Sequence, residues 1–181
     1  MDNVLPDHFK TERLLLRKPA YADAAEIFSR YAQDTAVSRF MTWRPLARLY
    51  EAQAFIGQAI DDWDKGTRRA YVLELAPRGD GPVGMLDARH INRHTIDVGY
   101  VLARPQWGNG LMPEALSALT AIALSYAAIF RVQATCDVDN IASARTLEKA
   151  GFAREARLER YLVHPNIDDA PRPCFMYARC R

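Results

Sequence analysis

The sequence has few of the residues that bind metals or form disulfides. Its 181 residues include 3 cysteines and 4 histidines. The cysteines, Cys136, Cys174 and Cys180, are odd in number and lack the spacing of a zinc site, and no pair of histidines matches a known metal motif. We therefore expect no metal, and reduced thiols of the kind found in cytoplasmic proteins.

Long hydrophobic runs and a strong charge of one sign are also missing. The longest apolar stretch, residues 118–130, is too short and interrupted to span a membrane. The first ten residues lack the apolar run of a secretory signal. Lys and Arg number 24 against 22 Asp and Glu, too even a balance for a nucleic-acid-binding face. These features predict a cytoplasmic protein with neither a membrane nor nucleic acid as a partner.

The residues that are present suffice for one packed core. Hydrophobic residues make up 49% of the chain and no stretch is typical of a linker, so residues 1–181 are expected to form a single domain. The period changes from 3.6 to 2 in the middle of the chain, where residues 83–90 and 95–102 are expected to pair as an antiparallel hairpin, and this predicts an α+β fold with a mixed sheet and helices on its faces. The predicted strands are 11–18, 69–75, 83–90, 95–102, 132–137, 157–163 and 174–179. The first predicted helix begins at Asp23, and the others cover residues 52–63, 112–126 (the longest) and 141–150.

A glycine-rich turn between a predicted strand and helix is the most informative segment. Residues 98–116 read VGYVLARPQWGNGLMPEAL, with Gly108 and Gly110 separated by one residue. Glycine can adopt positive φ and lets the backbone approach a ligand closely. The free N–H groups at the N-terminus of the following helix attract anions. The spacing indicates a pyrophosphate site, although a tight strand-to-helix turn would use the same glycines.

Two other nucleotide-binding motifs are excluded by the same residues. The loop has no Gly-Lys-Ser/Thr, so it lacks the lysine and the magnesium ligand of a P-loop. Pro113 stands where a Rossmann dinucleotide turn has its third glycine, and the turn follows a predicted hairpin instead of opening a parallel sheet.

A second motif lies after the next strand, where residues 139–152 read DNIASARTLEKAGF. The segments TERLLLR, VGYVL…WGNGLMPEAL, NIAS…EKAGF and MYAR occur in this order along the chain. Together they resemble the GNAT superfamily of acetyltransferases, and within it the RimJ/RimL-like branch of ribosomal-protein N-acetyltransferases. The resemblance extends over residues 11–179.

The resemblance implies a GNAT fold, with a mixed, mostly antiparallel central sheet, helices on both faces, and a fourth strand that splays from the fifth. Acetyl-CoA would lie in the gap as co-substrate. The residues implied to hold its pantetheine are Val101, Leu102 and Ala103, and those implied to hold its pyrophosphate are Trp107, Gly108, Asn109, Gly110, Leu111 and Met112. Asn140 and Ser143 would face the sulfur or the pantetheine. Arg145 and Lys149 would face the CoA phosphates or, equally, the solvent.

The implied reaction is direct attack of a neutral amine on the acetyl thioester, which needs a base, oxyanion donors and an acid for the leaving thiolate. Many relatives use a tyrosine as the acid at the position of Leu147, so Ser143 is the predicted acid here, directly or through water. Alternatively, Ser143 satisfies a backbone N–H in the first helical turn. Asp97 is the predicted base or else a surface strand residue, and Glu155 and Glu159 are its rivals.

Four further residues have two interpretations each. Cys136 is either a nucleophile for ping-pong chemistry or a small buried residue, and the second fits its type better. Trp43, Arg44 and Trp63 lie in the helical insert that forms the acceptor groove in relatives, or else the tryptophans pack in the core.

These observations predict an acetyl-CoA-dependent N-acetyltransferase that modifies a primary amine, as a monomer or a homodimer. The acceptor is either a protein N-terminal α-amino group or a small amine such as a polyamine, an amino acid or an aminoglycoside. A non-catalytic acyl-CoA-binding sensor of the same fold is the alternative, because Leu147 replaces the usual tyrosine.

Overall fold

A computed structural model describes residues 5–77 and 79–181; residues 1–4, and residue 78 in the turn after the third strand, lie outside the described part. The strands are β1 (His8–Lys10), β2 (Leu14–Arg17), β3 (Arg68–Leu75), β4 (Pro82–Asn92), β5 (Thr95–Leu102), β6 (Arg131–Asp137), β7 (Ala153–His164) and β8 (Asp168–Cys180).

Along the described chain every helix lies between two strands: three helices lie between β2 and β3, one between β5 and β6, and one between β6 and β7. The helices are α1 (Asp23–Ile27), which continues as a π-helical turn (Phe28–Ala32), α2 (Thr35–Ser38), α3 (Leu49–Asp64), α4 (Leu111–Ser125) and α5 (Ile141–Lys149). A 3₁₀ turn (Arg104–Gln106) leads from β5 towards α4. Within the described ranges, no helix combines the length and hydrophobicity needed to cross a membrane.

The described strands form one sheet in the order β1-β2-β3-β4-β5-β6-β8-β7. Every neighbouring pair is antiparallel except β5 and β6, which are parallel. This arrangement confirms the predicted α+β class and the mixed, mostly antiparallel sheet.

Helices cover both faces of the sheet, as predicted. Successive side chains of a strand point to opposite faces, and β3 contributes Tyr71 and Leu73 to one core and Ala70 and Val72 to the other. The first core contains the buried apolar side chains of α4 and α5 together with Trp63 of α3, and the second contains those of α1 and the rest of α3. Since both faces are buried in the middle of β3, residues 70–73 form a continuous apolar run instead of an alternating one.

The structure corrects several predicted element boundaries. The strand predicted at residues 11–18 is only Leu14–Arg17, because the Thr11 N–H donates to the Leu14 carbonyl in a turn (2.9 Å). β1 was not predicted, since three residues are too few to show a period. The predicted longest helix, α4, has 15 residues against 16 in α3. Gly151 ends α5 with φ 83°, as predicted.

The predicted splay lies between β5 and β6, which are the fourth and fifth strands when β1 is left out. Pairing is limited to Thr95 with Arg131, Ile96 with Val132, and Asp97 with Gln133. Beyond Asp97 the two strands continue, to Leu102 and to Asp137, without pairing to each other. A gap therefore opens in the sheet towards the C-terminal ends of both strands.

Candidate active site

At every second residue, the β5 side of the gap presents backbone groups that no neighbouring strand pairs. The carbonyl of one of them, Leu102, accepts a hydrogen bond from Trp107 Nε1 (2.7 Å). The Ala103 N–H donates to the Val83 carbonyl of β4 (2.8 Å). Since hydrogen-bonded pairs alternate in an antiparallel ladder, the backbone groups of Val101 also face β4, and those of Tyr100 and Leu102 face the gap. Of the three predicted pantetheine-binding residues, only Leu102 presents its backbone there. The alternation depends on strand register, which the sequence does not reveal.

The glycine loop at the end of the gap has the conformation expected of an anion cradle. Gly108 and Gly110 have φ values of 79° and 75°, in the left-handed region that favours glycine. A Cβ added at Gly108 would meet no atom within 4 Å, so the loop is open to an approaching ligand. Gly110 is the N-cap of α4, which leaves the Leu111 and Met112 N–H groups without intrahelical acceptors. These residues fit a pyrophosphate.

Arg13 fixes this loop from outside the motif. Its guanidinium Nη1 donates to the Asn109 carbonyl (2.8 Å) and its Nε donates to Glu114 in the first turn of α4 (2.7 Å). The Thr11 hydroxyl and the Arg13 backbone N–H donate to the other Glu114 oxygen. Burial tends to raise the pKa of Glu114, but these hydrogen bonds outweigh it and lower that pKa. Sequence reasoning missed this clamp, because Arg13 and Glu114 are far apart along the chain.

Ser143 lies in the first turn of α5, and its hydroxyl points across the gap. Asn140 caps the helix, since its Oδ1 accepts a hydrogen bond from the Ser143 N–H (3.1 Å). The Ser143 hydroxyl lies 2.7 Å from the hydroxyl of Tyr100 on β5. Asn140 therefore caps the helix, which was the alternative role considered for Ser143. The Ser143 hydroxyl instead contacts Tyr100.

Cys136 lies on β6 beside Ser143 and is only 6% exposed. Burial raises the pKa of its thiol to about 11, although its interaction with Ser143 opposes the rise. A thiol with this pKa is protonated at neutral pH, whereas the nucleophilic form is the thiolate. The structure therefore favours the interpretation of Cys136 as a small buried residue.

Asp97 lies where β5 and β6 begin to separate, on the sheet face opposite Ile96 and Val98. Its Oδ2 accepts a hydrogen bond from Arg89 Nη2 (3.0 Å). Burial raises the pKa of the Asp97 carboxyl, although Arg89 and Gln133 oppose the rise. A raised pKa makes a carboxylate a stronger base near neutral pH.

The two rival carboxylates lie on β7, which is separated from the gap by β6 and β8. Glu155 pairs with Arg131 (2.6 Å), and this contact lowers its pKa. Glu159 pairs with Arg157 (2.6 Å), with both side chains exposed. Neither has the position at the gap that Asp97 has.

Arg145 and Lys149 are exposed on α5. Across residues 5–77 and 79–181, neither side chain has a hydrogen bond or an ion pair with the protein. Both are therefore available to a phosphate or to solvent.

A polar pocket of about 410 Å³ lies between the segment that joins α2 to α3 and the β7–β8 turn. Its lining includes Thr35, Ser38, Arg44, Pro45 and residues 165–169. The Asn166 side-chain amide closes one end by donating to the carbonyls of Ser38 (2.6 Å) and Trp43 (2.8 Å). Arg44 and Asp169 pair across its rim (3.2 Å).

Only part of the predicted acceptor segment faces this pocket. Arg44 lines it, and Trp43 contributes its carbonyl to the contact with Asn166. Trp63 is 4% exposed and packs edge-to-face on Tyr71, with ring centroids 5.0 Å apart. Trp63 is therefore a core residue.

A buried carboxylate at the end of β6 was also missed. Asp137 accepts hydrogen bonds from Arg172 Nε (2.6 Å) and from the Asp139 N–H (2.9 Å). His164 Nε2 lies 3.7 Å from the same carboxylate. Burial tends to raise the pKa of Asp137, but the Arg172 hydrogen bond and the other contacts lower it overall. In the described part of the chain, no group of three or more His, Cys, Asp or Glu residues is arranged to hold a metal ion.

The splayed sheet, the glycine cradle and the hydroxyls beside the gap together define an acyl-CoA-dependent transferase fold. Residues 13–153 match the family described as the acetyltransferase (GNAT) domain. The chain therefore belongs to the GNAT family of acetyltransferases.

Relatives in sequence and structure agree with this membership. The chain is 27% identical over 153 residues to p20 of Bacillus licheniformis, named an uncharacterized N-acetyltransferase, covering 83% of this chain and 85% of p20. The self-immunity acetyltransferase MccE for microcin C7, solved with acetyl-CoA and AMP, has a TM-score of 0.87 at 20% identity and 99% coverage of both chains. RimL, the ribosomal L7/L12 alpha-N-protein acetyltransferase, solved with coenzyme A, has a TM-score of 0.81 at 21% identity and 97% coverage of both chains.

Proposed function

We propose that the protein binds acetyl-CoA between β5 and β6 and transfers the acetyl group directly to a primary amine. The observation that carries this proposal is the gap itself, which runs from the last paired residue, Asp97, towards the glycine cradle before α4. Acetyl-CoA supplies the activated acyl group. The backbone of Tyr100 and Leu102 would bind pantetheine as a neighbouring strand would, and the amides from Gly108 to Met112 would bind the pyrophosphate.

The two faces of the sheet have different parts in this reaction. Ser143 lies on the α4–α5 face and Asp97 points to the opposite face, so a thioester in the gap would have one on each side. Asp97, directly or through water, takes the ammonium proton before the amine nitrogen attacks. The N–C bond forms, the C–S bond breaks, and the electron pair of that bond moves to sulfur, where Ser143 donates a hydrogen bond. The attacking nitrogen releases its second proton to solvent, which leaves the neutral amide. The protonated thiol of Cys136 has no covalent part.

The acceptor would enter through the pocket between α2 and the β7–β8 turn. Asp168 and Asp169 at its rim attract a protonated amine, and Arg44 offers a donor to a carbonyl or an anionic group. Donors and charges of both signs suit the first residues of a peptide, so a protein N-terminal α-amino group is the acceptor we favour. RimL, an alpha-N-protein acetyltransferase, shares this fold. A small amine is the second candidate, because the similar MccE structure holds AMP.

A thiol-release assay tests this proposal. The purified protein is incubated with acetyl-CoA and a panel of N-terminal peptides, polyamines, amino acids, aminoglycosides and aminoacyl nucleotides, and the products are weighed by mass spectrometry. We expect saturable release of CoA with at least one amine, together with the acetylated amine. Binding of acetyl-CoA without transfer to any amine would favour the alternative, a non-catalytic acyl-CoA sensor.

A further inference from the structure

Tyr100 connects the two sides of the gap on the α4–α5 face. It lies in the part of β5 that does not pair with β6, and its ring packs against the core beneath α4 and α5. Its hydroxyl reaches Ser143, with 2.7 Å to Oγ and 3.3 Å to the carbonyl oxygen. Tyr100 is therefore anchored through its ring and has its polar end at the predicted proton donor.

The hydrogen bonds around Ser143 determine where its hydroxyl proton points. A serine hydroxyl has one hydrogen to donate and two lone pairs to accept with. The helix cap is provided by Asn140, so Ser143 Oγ is free of that task. Burial keeps the pKa of the Tyr100 phenol well above its usual value, so the phenol is protonated and can donate. When Tyr100 donates to Ser143 Oγ, the serine hydrogen is left for another acceptor.

The usual position for a tyrosine on the helix cannot supply this donor here. Leu147 is fully buried (0% exposed) in the core beneath α5 and has no polar atom in its side chain. A phenol hydroxyl is nevertheless present beside the gap, and it comes from β5 on the opposite side.

We propose that Tyr100 is a positioning residue for the leaving sulfur: across the 2.7 Å contact its hydroxyl donates to Ser143 Oγ and so aims the Ser143 hydroxyl hydrogen at that sulfur. This inference rests on the proposed function. As the C–S bond breaks and the electron pair moves to sulfur, Ser143 donates a hydrogen bond to the thiolate and Tyr100 supports that donation through the same chain. Both residues keep their protons, and the thiolate is protonated from solvent.

The first test measures the pKa of the CoA thiol when CoA is bound. Thiolate absorbance is followed against pH for wild type, Tyr100→Phe, Ser143→Ala and the double variant, and the same titration with desulfo-CoA subtracts the protein's own groups. A donor to sulfur stabilises the thiolate, so we expect the pKa of the bound thiol to be lowest in wild type. We expect the same higher pKa in both single variants and in the double variant.

The second test separates positioning from packing by kinetics. Tyr100→Phe keeps the ring in the core, so we expect KM for acetyl-CoA to stay close to that of wild type and kcat to fall roughly tenfold. In the Ser143→Ala background the same change should have no further effect, since Tyr100 acts through Ser143. Tyr177→Phe is the matched control: it removes another buried hydroxyl from the same core, one that donates to Glu148 (3.1 Å).

Three outcomes distinguish the inference from the proposed function. If Tyr100→Phe leaves the bound-thiol pKa and kcat at the wild-type values, the inference is wrong and the acetyltransferase proposal is unaffected. If the effect of Tyr100→Phe persists in the Ser143→Ala background, Tyr100 does not act through Ser143, and the inference is again wrong. If no amine is acetylated but the titrations show the expected pattern, the transfer proposal fails and the contact chain to sulfur is supported.

Discussion

Arg13, immediately before β2, holds Glu114 in the first turn of α4, with 2.6 Å between guanidinium Nη2 and carboxylate Oε2. The same guanidinium donates to the carbonyl of Asn109, between the two loop glycines. The loop is thus fixed to the sheet before any ligand arrives, so binding does not have to order it, and preorganisation of this kind lowers the entropy cost of binding.

Replacing Arg13 by alanine tests this relationship. We expect KM for acetyl-CoA to rise roughly tenfold, because the loop loses its support and the Glu114 carboxylate is left uncompensated near the phosphates. We expect kcat to change little. Arg157→Ala, which breaks the exposed pair with Glu159, is the control and should match wild type. An unchanged KM in Arg13→Ala would show that the clamp has no part in binding.

A Cβ at Gly110 should impair cofactor binding beyond its cost in stability. Gly110 has φ 75°, so Gly110→Ala costs about 1–2 kcal/mol of backbone strain. It also places a methyl group in the glycine loop, 3.5 Å from Nη2 of the Arg13 side chain that holds this loop. Gly66→Ala is a matched control, since Gly66 has φ 70°, and an added Cβ there would meet no atom within 4 Å. We expect both variants to show a similar fall in Tm, and only Gly110→Ala to lose affinity for CoA, as measured by calorimetry. If both variants bind CoA with equal affinity, the phosphates bind elsewhere.

Asp97→Asn should change the pH dependence of the reaction. The raised pKa of Asp97 means that wild-type kcat/KM falls as pH drops through that pKa, at a higher pH than an ordinary Asp would give. We expect Asp97→Asn to be roughly a hundredfold slower and to lack this acid limb. If the variant keeps the wild-type limb, the base is another group or water.

The same group makes a prediction about stability. A folded-state pKa above the unfolded one stabilises the protein below the unfolded pKa, and this contribution is lost as pH rises through the folded pKa. As pH rises from the unfolded-state pKa of Asp97 through its folded-state pKa, the free energy of unfolding of wild type should therefore fall relative to that of Asp97→Asn. Urea titrations at a series of pH values measure this difference in the free energy of unfolding. If the two proteins show the same dependence on pH, the pKa of the partly buried Asp97 carboxyl is not raised.

Ser143→Ala should lower kcat more than it raises KM for acetyl-CoA, because a donor to the leaving sulfur acts as charge develops there. We expect kcat to fall by about 10²-fold or less. This is the lower end of the range for general-acid catalysis, because water can replace the lost Ser143 hydroxyl. Cys136→Ala is the control and should remain active. Trapping of an acetyl-cysteine in wild type, together with an inactive Cys136→Ala, would establish ping-pong chemistry instead.

Asn166→Ala should weaken the binding of the acceptor amine and leave the binding of acetyl-CoA unchanged. Asn166 holds the β7–β8 turn against the carbonyls of Ser38 and Trp43, and this contact shapes the pocket. We expect a higher KM for the amine, by roughly tenfold, with KM for acetyl-CoA unchanged. Steady-state kinetics with each substrate varied in turn would show whether the two constants move separately; a rise in both would place the pocket outside the acceptor path.

The sequence predicted those parts of the site that depend on local conformation. Gly108 and Gly110 predict a turn at positive φ before a helix, and both the turn and α4 are present. The splay of β5 from β6 was predicted from the resemblance, and the short pairing confirms it.

Contacts between distant residues could not be predicted. Tyr100 and Ser143 are 43 residues apart, and Arg13 and Glu114 are 101 apart, so their meeting depends on sheet order and on how the helices pack. Register is equally hidden, which is why Ala103 was predicted to face the cofactor although its N–H donates to Val83. Nothing local to these residues marks such pairings.

Transfer of an isotopically labelled acetyl group from acetyl-CoA to an amine tests the central claim most directly. Mass spectrometry of the amine panel after incubation with wild type, Ser143→Ala and Gly110→Ala measures both the acceptor and the rate. The account predicts a labelled N-acetyl product with wild type, less with Ser143→Ala, and almost none with Gly110→Ala at low acetyl-CoA. Absence of any labelled amine, while calorimetry shows acetyl-CoA bound to wild type, would contradict it.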